Sequence, residues 1–243
     1  LSRGLGDVYK RQVLKNTLII SIALTIFSFP APILLAICLD NIPRQGFKRA
    51  AQTISYLPHF ISWVVMAGLV YRLLDTDTGI VNYIIRSLGC DPIPFMRTPS
   101  MFLPIVIIVD ILKEVGWNSI IFLAAITNID SSLYEAARID GAGKLKCIWY
   151  ITLPGIGPTI GTMLILRVGS MVNVNFDMIF NLKNPMIDSV ANVLGTFVYE
   201  QGILWGKFSY ATAVGMVQGL ISVILVFITM KAANKVSGES YIV

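Results

Sequence analysis

The chain has 243 residues, of which 55% are apolar and only 14% charged, and its formal net charge is +5. A soluble domain of this length cannot hide so much apolar surface in one core, because its exterior needs polar cover. With a single histidine, three scattered cysteines, no C-x-x-C pair and no G-x-S-x-G turn, the chain offers no zinc site, no disulfide framework and no serine nucleophile. The charges are bunched, with long uncharged stretches between them, as expected where lipid is the solvent. The basic excess then reads as loops facing the cytoplasm and not as a nucleic-acid surface.

In chain order, residues 1–12 come first, with Arg3, Lys10 and Arg11 and no apolar core, so they do not form a signal peptide. Five segments follow that are apolar and long enough for helical spans, which need about twenty residues. They cover roughly Asn16–Leu39, Ile54–Leu74, Met101–Ile126, Pro158–Leu182 and Phe208–Met230. Period-2 alternation is absent, so an all-α helical bundle is expected and not a barrel. Pro30 and Pro32 should kink the first segment, and His59 after Pro58 reads as an interfacial residue at a helix end. A short helix is expected near Ser189–Tyr199, in an external connector.

Loop charge sets the orientation. The stretch 40–53 carries Arg44, Lys48 and Arg49, the stretch 131–155 carries Arg138, Lys144 and Lys146, and the tail carries Lys231 and Lys235. The positive-inside rule places these on the cytoplasmic side, with the C-terminus inside. The basic residues before the first span then fall on the wrong side. The expectation drawn from this conflict is a truncated chain behind a foreign leader over residues 1–12, with one N-terminal helix missing. The membrane domain then covers residues 13–243.

The informative loop runs from about residue 130 to 155. Ser132 and Glu135 have the spacing of a capping box that would open a short helix. Gly141 and Gly143 allow a sharp turn. A second amphipathic helix follows, with Leu145, Ile148 and Trp149 apolar and Lys144 and Lys146 exposed, and Pro154, Gly155 and Pro158 lead into the next span. By residue types alone this is either an interfacial elbow joining two spans or a surface helix built for docking. Gly141-Ala142-Gly143-Lys144 is no P-loop, since Gly141 stands too close to Gly143, Leu145 replaces the required Ser or Thr, and no buried strand precedes it.

Glu135-Ala136-Ala137, then Gly141, then Ile151, Leu153 and Pro154 after nine further residues, resembles the EAA loop of binding-protein-dependent ABC importer permeases. The resemblance extends to Asn16-Thr17-Leu18 and to the run Trp117–Ile126, which are similar to sugar-type permeases. The pattern from Asn173 through Asn184-Pro185 to Tyr199 is similar to a branch that imports oligosaccharides. This family usually has six spans. The resemblance implies a type I importer permease fold whose loop residues Glu135, Ala136, Ala137, Asp140, Gly141, Ile151, Leu153 and Pro154 serve coupling to a cytoplasmic ATPase. It also implies a bacterial cell-membrane location, a second permease subunit in a heterodimer, two ATP-binding subunits, and an extracellular binding protein delivering a sugar or oligosaccharide. No cofactor, metal or catalytic residue is expected, because ATP hydrolysis belongs to another subunit.

Polar groups inside spans are costly unless they face protein or water, so they mark candidate positions. Arg167 together with Asn173, Asn175, Phe176 and Asp177 suits a sugar pathway through amide and carboxylate hydrogen bonds beside an aromatic face. The same residue types suit hydrogen bonds between two permease subunits. Asp110, Lys113 and Glu114 lie within about one turn, and Asp110 and Lys113 read as an intrahelical i,i+3 pair turned inward, or the group as gating residues. In a rival reading they form the relay of an ion-coupled secondary transporter. Gly215 and Gly219 have the G-x-x-x-G spacing expected for close helix packing.

Overall fold

The computed structural model describes residues 2–237, and the side chains of residues 10–233. The leader expected over residues 1–12 and the tail residue Lys235 therefore fall largely outside the described side chains. Helices dominate and no strand occurs among the described residues. The elements are α1 (Ser2–Phe27), α2 (Pro30–Asp40), α3 (Gln45–Tyr56), a 3-10 turn over Leu57–Phe60, α4 (Trp63–Leu73), α5 (Ile80–Ser87) and α6 (Pro99–Thr127). They continue with α7 (Ser131–Ile139), α8 (Lys144–Cys147), a π turn over Ile148–Thr152, α9 (Leu153–Gly155), α10 (Gly157–Gly169) and α11 (Phe176–Leu182). Last come α12 (Asp188–Ala191), α13 (Leu194–Tyr199), a second π turn over Glu200–Leu204, and α14 (Phe208–Ser237).

Two stretches are single helices long and apolar enough to cross a membrane, Lys10–Asp40 and Phe208–Ala233. The first runs through Pro30 and Pro32, which sit at the start of α2 where a missing amide costs little. The helix α6, at about 1.5 Å per residue, is also longer than a bilayer core but carries Asp110, Lys113 and Glu114 along its length. Two of the five predicted segments are not single straight helices. The second is broken between Phe60 and Trp63. Ser62 has extended backbone there and caps a new helix by accepting from the Val65 amide at 3.3 Å. The fourth stops at Gly169 and restarts at Phe176 behind an Asn175 cap. Apolar content alone does not register either interruption, because capping residues are few and the flanking helices remain apolar. The short helix expected near Ser189–Tyr199 is present as α12 and α13.

The chain forms two compact units. The first takes residues up to Thr25, Ile61–Asp110 and Ser170–Ile224. Its core is built on the α11 stripe Met178, Ile179 and Leu182, all fully buried against Met66, Ala67 and Val70 of α4 and Phe102, Ile105, Val106 and Val109 of α6. Several buried polar residues inside it are paired, as buried polar groups usually are. Asn16 donates to the carbonyls of Ser189 and Asn192 at 3.0 and 3.1 Å, and the Thr17 hydroxyl accepts from the Leu194 amide at 2.9 Å. Asn82 is fully buried and holds the Asp75 and Ile93 carbonyls and the Ile93 amide.

The second unit takes Ile26–Phe60, Ile111–Gly169 and the chain from Leu225 on. Its core joins Ile33, Ala36 and Ile37 of α2 to Phe122, Leu123 and Ile126 of α6 and to the fully buried Ile156, with Ile148 and Leu153 packed alongside. Along α14, no atom would meet a Cβ at Gly215 or Gly219 within 4 Å. Close packing at these glycines is therefore not made among the described residues.

Candidate functional site

The loop between α6 and α10 belongs wholly to the second unit. The helix α7 opens on Asp130, whose side chain accepts from the Ser132 amide at 2.9 Å. That contact holds the Asp130 carboxyl below the usual carboxylate range. The expected capping box is thereby corrected. Ser132 lies inside the first turn, and Asp130, two residues earlier, takes the cap because its carboxylate reaches the orphan amide. None of the nine residues of α7 is buried. Glu135, Ala136 and Asp140 are exposed, Ala137 is partly covered, and Ile139 at the end is 86% exposed.

The helix closes by backbone geometry. The Ala142 amide donates to the Ala137 carbonyl at 2.8 Å and the Gly141 amide to the Arg138 carbonyl at 3.1 Å. This is the paired pattern of a Schellman end, and it requires a left-handed residue between the helix and the turn. Gly141 supplies it at φ 74°. Gly143 has φ −75° and is the residue before α8.

The second half of the loop is anchored in the unit's core. A proline cannot donate, and its ring collides with the carbonyl four residues back, so Pro154 cannot follow an ordinary turn. The backbone widens into the π turn, where the Leu153 amide reaches the Ile148 carbonyl five residues earlier. Thr152 is buried and meets the Tyr134 hydroxyl of α7 at 3.0 Å. Gly155 lets Ile129 approach, since a Cβ there would lie 2.7 Å from the Ile129 Cδ1. Ile151 and Leu153 are partly covered, while Pro154 is exposed. A cavity of about 560 Å³ lies beside α7, lined by Asp40, Tyr134, Glu135, Arg138 and Lys144 among others. The arrangement is an exposed helix joined to α6 through residues 128–130 at one end and anchored to the unit's core through the π turn at the other. Leu133, Ile139, Leu145 and Trp149 leave apolar surface uncovered around it.

The candidate pathway residues lie in the first unit, at the restart of the fourth segment. Asn173, Asn175 and Asp177 are exposed. Asn175 already uses its side-chain oxygen as a cap, accepting from the Met178 amide at 3.2 Å. Phe176 stacks on Phe180 with ring centroids 5.1 Å apart and meets Tyr199 at 5.4 Å. Phe180 and Tyr199 complete the cluster at 5.1 Å. Sequence reasoning missed both. The i,i+4 spacing of Phe176 and Phe180 was a usable signal, whereas Tyr199 reaches them only through the fold. Beside this cluster Lys183 pairs with Glu200 and lies 3.8 Å from Asp188. Arg167 stands on α10, in the other unit.

The charged residues of α6 are also placed. Asp110 is buried in the first unit. Lys113, only 4% exposed, directs its ammonium to the His59 carbonyl at 2.6 Å and the Pro58 carbonyl at 3.5 Å. Glu114 meets His59 Nδ1 at 2.8 Å. His59, read from sequence as an interfacial residue at a helix end, is paired with Glu114.

The family described as "Binding-protein-dependent transport system inner membrane component" matches residues 28–238. Protein LplB of Bacillus subtilis (strain 168) is 40% identical over 228 residues, which are 94% of this chain and 72% of that protein. The polygalacturonan/rhamnogalacturonan transport system permease protein YteP of the same organism is 42% identical, over 93% of this chain and 71% of that one. A chain in the crystal structure of a bacterial alginate ABC transporter, in complex with an alginate pentasaccharide-bound periplasmic protein, is 38% identical with a TM-score of 0.91. The match covers 94% of this chain and 80% of that one.

Proposed function

Because this chain belongs to the family of inner membrane components of binding-protein-dependent transport systems, we propose that it is the permease subunit of an ATP-driven importer for a sugar or oligosaccharide. It is a membrane component of a transport assembly and not itself an enzyme. The cargo assignment rests on relatives such as YteP and the alginate transporter, whose names carry polysaccharide substrates.

The observation that carries the coupling role is α7, a surface helix with no buried residue, fixed at its start by Asp130 and at its end by Gly141. An exposed helix with uncovered apolar groups on an anchored mount suits docking into a partner, and ATP-driven closure can move a bundle only through such an element. Glu135, Ala136, Ala137, Asp140 and Gly141 make the contact in this reading, while Ile151, Leu153 and Pro154 set the mount. Two cytoplasmic ATPase subunits and a second permease complete the assembly, and a binding protein outside the membrane delivers the cargo. The loop and the C-terminus face the cytoplasm, where the positive-inside rule puts Arg138, Lys144, Lys146 and Lys231.

Asn173, Asn175, Phe176 and Asp177 line the cargo path in this reading, joined by Phe180 and Tyr199. Aromatic faces stack on the apolar face of a sugar ring, and amides and carboxylates bond its hydroxyls. The test is reconstitution in vesicles with the second permease, ATPase and binding protein. Uptake of labelled oligosaccharide that needs ATP is the expected result. Uptake driven by an ion gradient without ATP would overturn the reading and restore the relay through Asp110, Lys113 and Glu114.

A further inference from the structure

After α3 the 3-10 turn Leu57–Phe60 ends without a following helical turn to satisfy its carbonyls. Three residues of α6 meet this turn, all within the second unit. Lys113 donates to the Pro58 and His59 carbonyls, where a cation also complements the negative end of the helix. Glu114 holds His59 at 2.8 Å and lies 3.8 Å from the Lys113 ammonium. Trp117 stacks flat on the His59 ring, with centroids 4.5 Å apart and planes within 2°, and Phe60 meets the same indole edge-on at 5.7 Å.

One turn of α6 also touches the backbone of α3 directly. A Cβ at Gly116 would stand 1.9 Å from the Ser55 carbonyl oxygen. Charge, ring stacking and a glycine contact therefore converge within five residues of one helix. Burying a lysine and part of a glutamate is unfavourable unless every partner is in place, so the arrangement holds a single geometry.

We infer that His59, Lys113 and Glu114 are positioning residues that lock α3 and its 3-10 turn to the C-terminal half of α6 as one body. That half of α6 runs straight into the loop that carries α7. A displacement imposed on α7 thus reaches α3 through the clasp, and the function of this transmission rests on the ATPase-coupling reading above. The clasp residues are distinct from those of α7.

The experiment places spin labels at the exposed Thr53 of α3 and Thr127 of α6, after replacing Cys38, Cys90 and Cys147 with serine. In lipid nanodiscs, the clasp predicts one narrow distance distribution for the wild-type background. Breaking a charge-assisted contact shifts such an equilibrium by about tenfold or more, so Glu114→Gln with His59→Gln should broaden it into at least two populations. Lys113→Arg, which keeps a cation on the carbonyls, should retain the narrow one. In the assembly trapped with ADP and vanadate, the wild-type distance should match the nucleotide-free one, and only the clasp variants should differ. A broad wild-type distribution, a wild-type distance that changes on trapping, or an unchanged distribution in the double variant overturns the inference. If no ATPase is captured, the coupling reading fails, and the nanodisc measurement still decides the clasp.

Discussion

The amide of Ala142 reaches back to the carbonyl of Ala137 at 2.8 Å, and this bond closes α7 only because Gly141 between them sits at φ 74°. No neighbouring atom would crowd a side chain there, so the requirement is conformational and not spatial. A left-handed conformation costs a residue with a Cβ about 1–2 kcal/mol. Gly141→Ala should therefore fray the end of α7 and weaken ATPase capture by roughly five- to thirtyfold. Gly143→Ala, at φ −75° and in open space, should leave capture unchanged. Titrated pull-down of the ATPase with the two variants separates the effects.

Asn82 should be the most sensitive polar position in the connector between α4 and α6. It is fully buried, and its amide satisfies three backbone groups. Asn82→Ala leaves the Ile93 amide without its partner, at about 1–3 kcal/mol for a buried group. It also removes one of two donors from the Asp75 and Ile93 carbonyls, which keep the Gly79 and Phe95 amides. A lowered melting temperature in detergent is expected, with Asn82→Asp intermediate because it keeps the acceptor for the Ile93 amide.

The Asp130 cap should make α7 acid-sensitive. Its carboxyl is held below the usual range chiefly by the Ser132 amide, so its folded value is depressed. A depressed group contributes stability above the unfolded value of about 4 and loses it as the pH falls through the lower folded value. Proteolysis or thiol labelling at the exposed Leu133, introduced as cysteine, should speed up in that acid window. Asp130→Asn, which can still cap but does not titrate there, should flatten the response.

Cargo transport should depend on the aromatic cluster as a unit. Tyr199→Ala removes a partner from both Phe176 and Phe180, and such aromatic pairs are worth about 0.5–1.5 kcal/mol each. ATP-dependent uptake of the wild-type cargo should fall several-fold. Tyr199→Phe should retain it if the ring face matters, and uptake kinetics on the two variants provide the check.

The helical class and the α7 loop were legible because they rest on local signals. Long apolar runs need no partner to be recognised, and the Glu135-Ala136-Ala137 to Pro154 pattern is contiguous. The cap moved from Ser132 to Asp130 because Asp and Ser are both favoured N-cap residues, and only geometry selects the carboxylate that reaches the amide. The break after Phe60 and the gap before Phe176 depend on single capping residues inside apolar sequence, Ser62 and Asn175. Pairings such as His59 with Glu114, or Phe176 with Tyr199, join residues far apart in the chain, and no local pattern encodes them.

The most direct measurement is co-purification of the cytoplasmic ATPase with the assembled permease pair carrying wild-type chain or Glu135→Lys. Glu135 is exposed on α7, so reversing its charge should leave folding and membrane insertion intact. The account predicts that wild type retains the ATPase and that Glu135→Lys loses most of it at equal expression. Equal retention by both chains, or none by a correctly inserted wild-type pair, would contradict α7 as the coupling element.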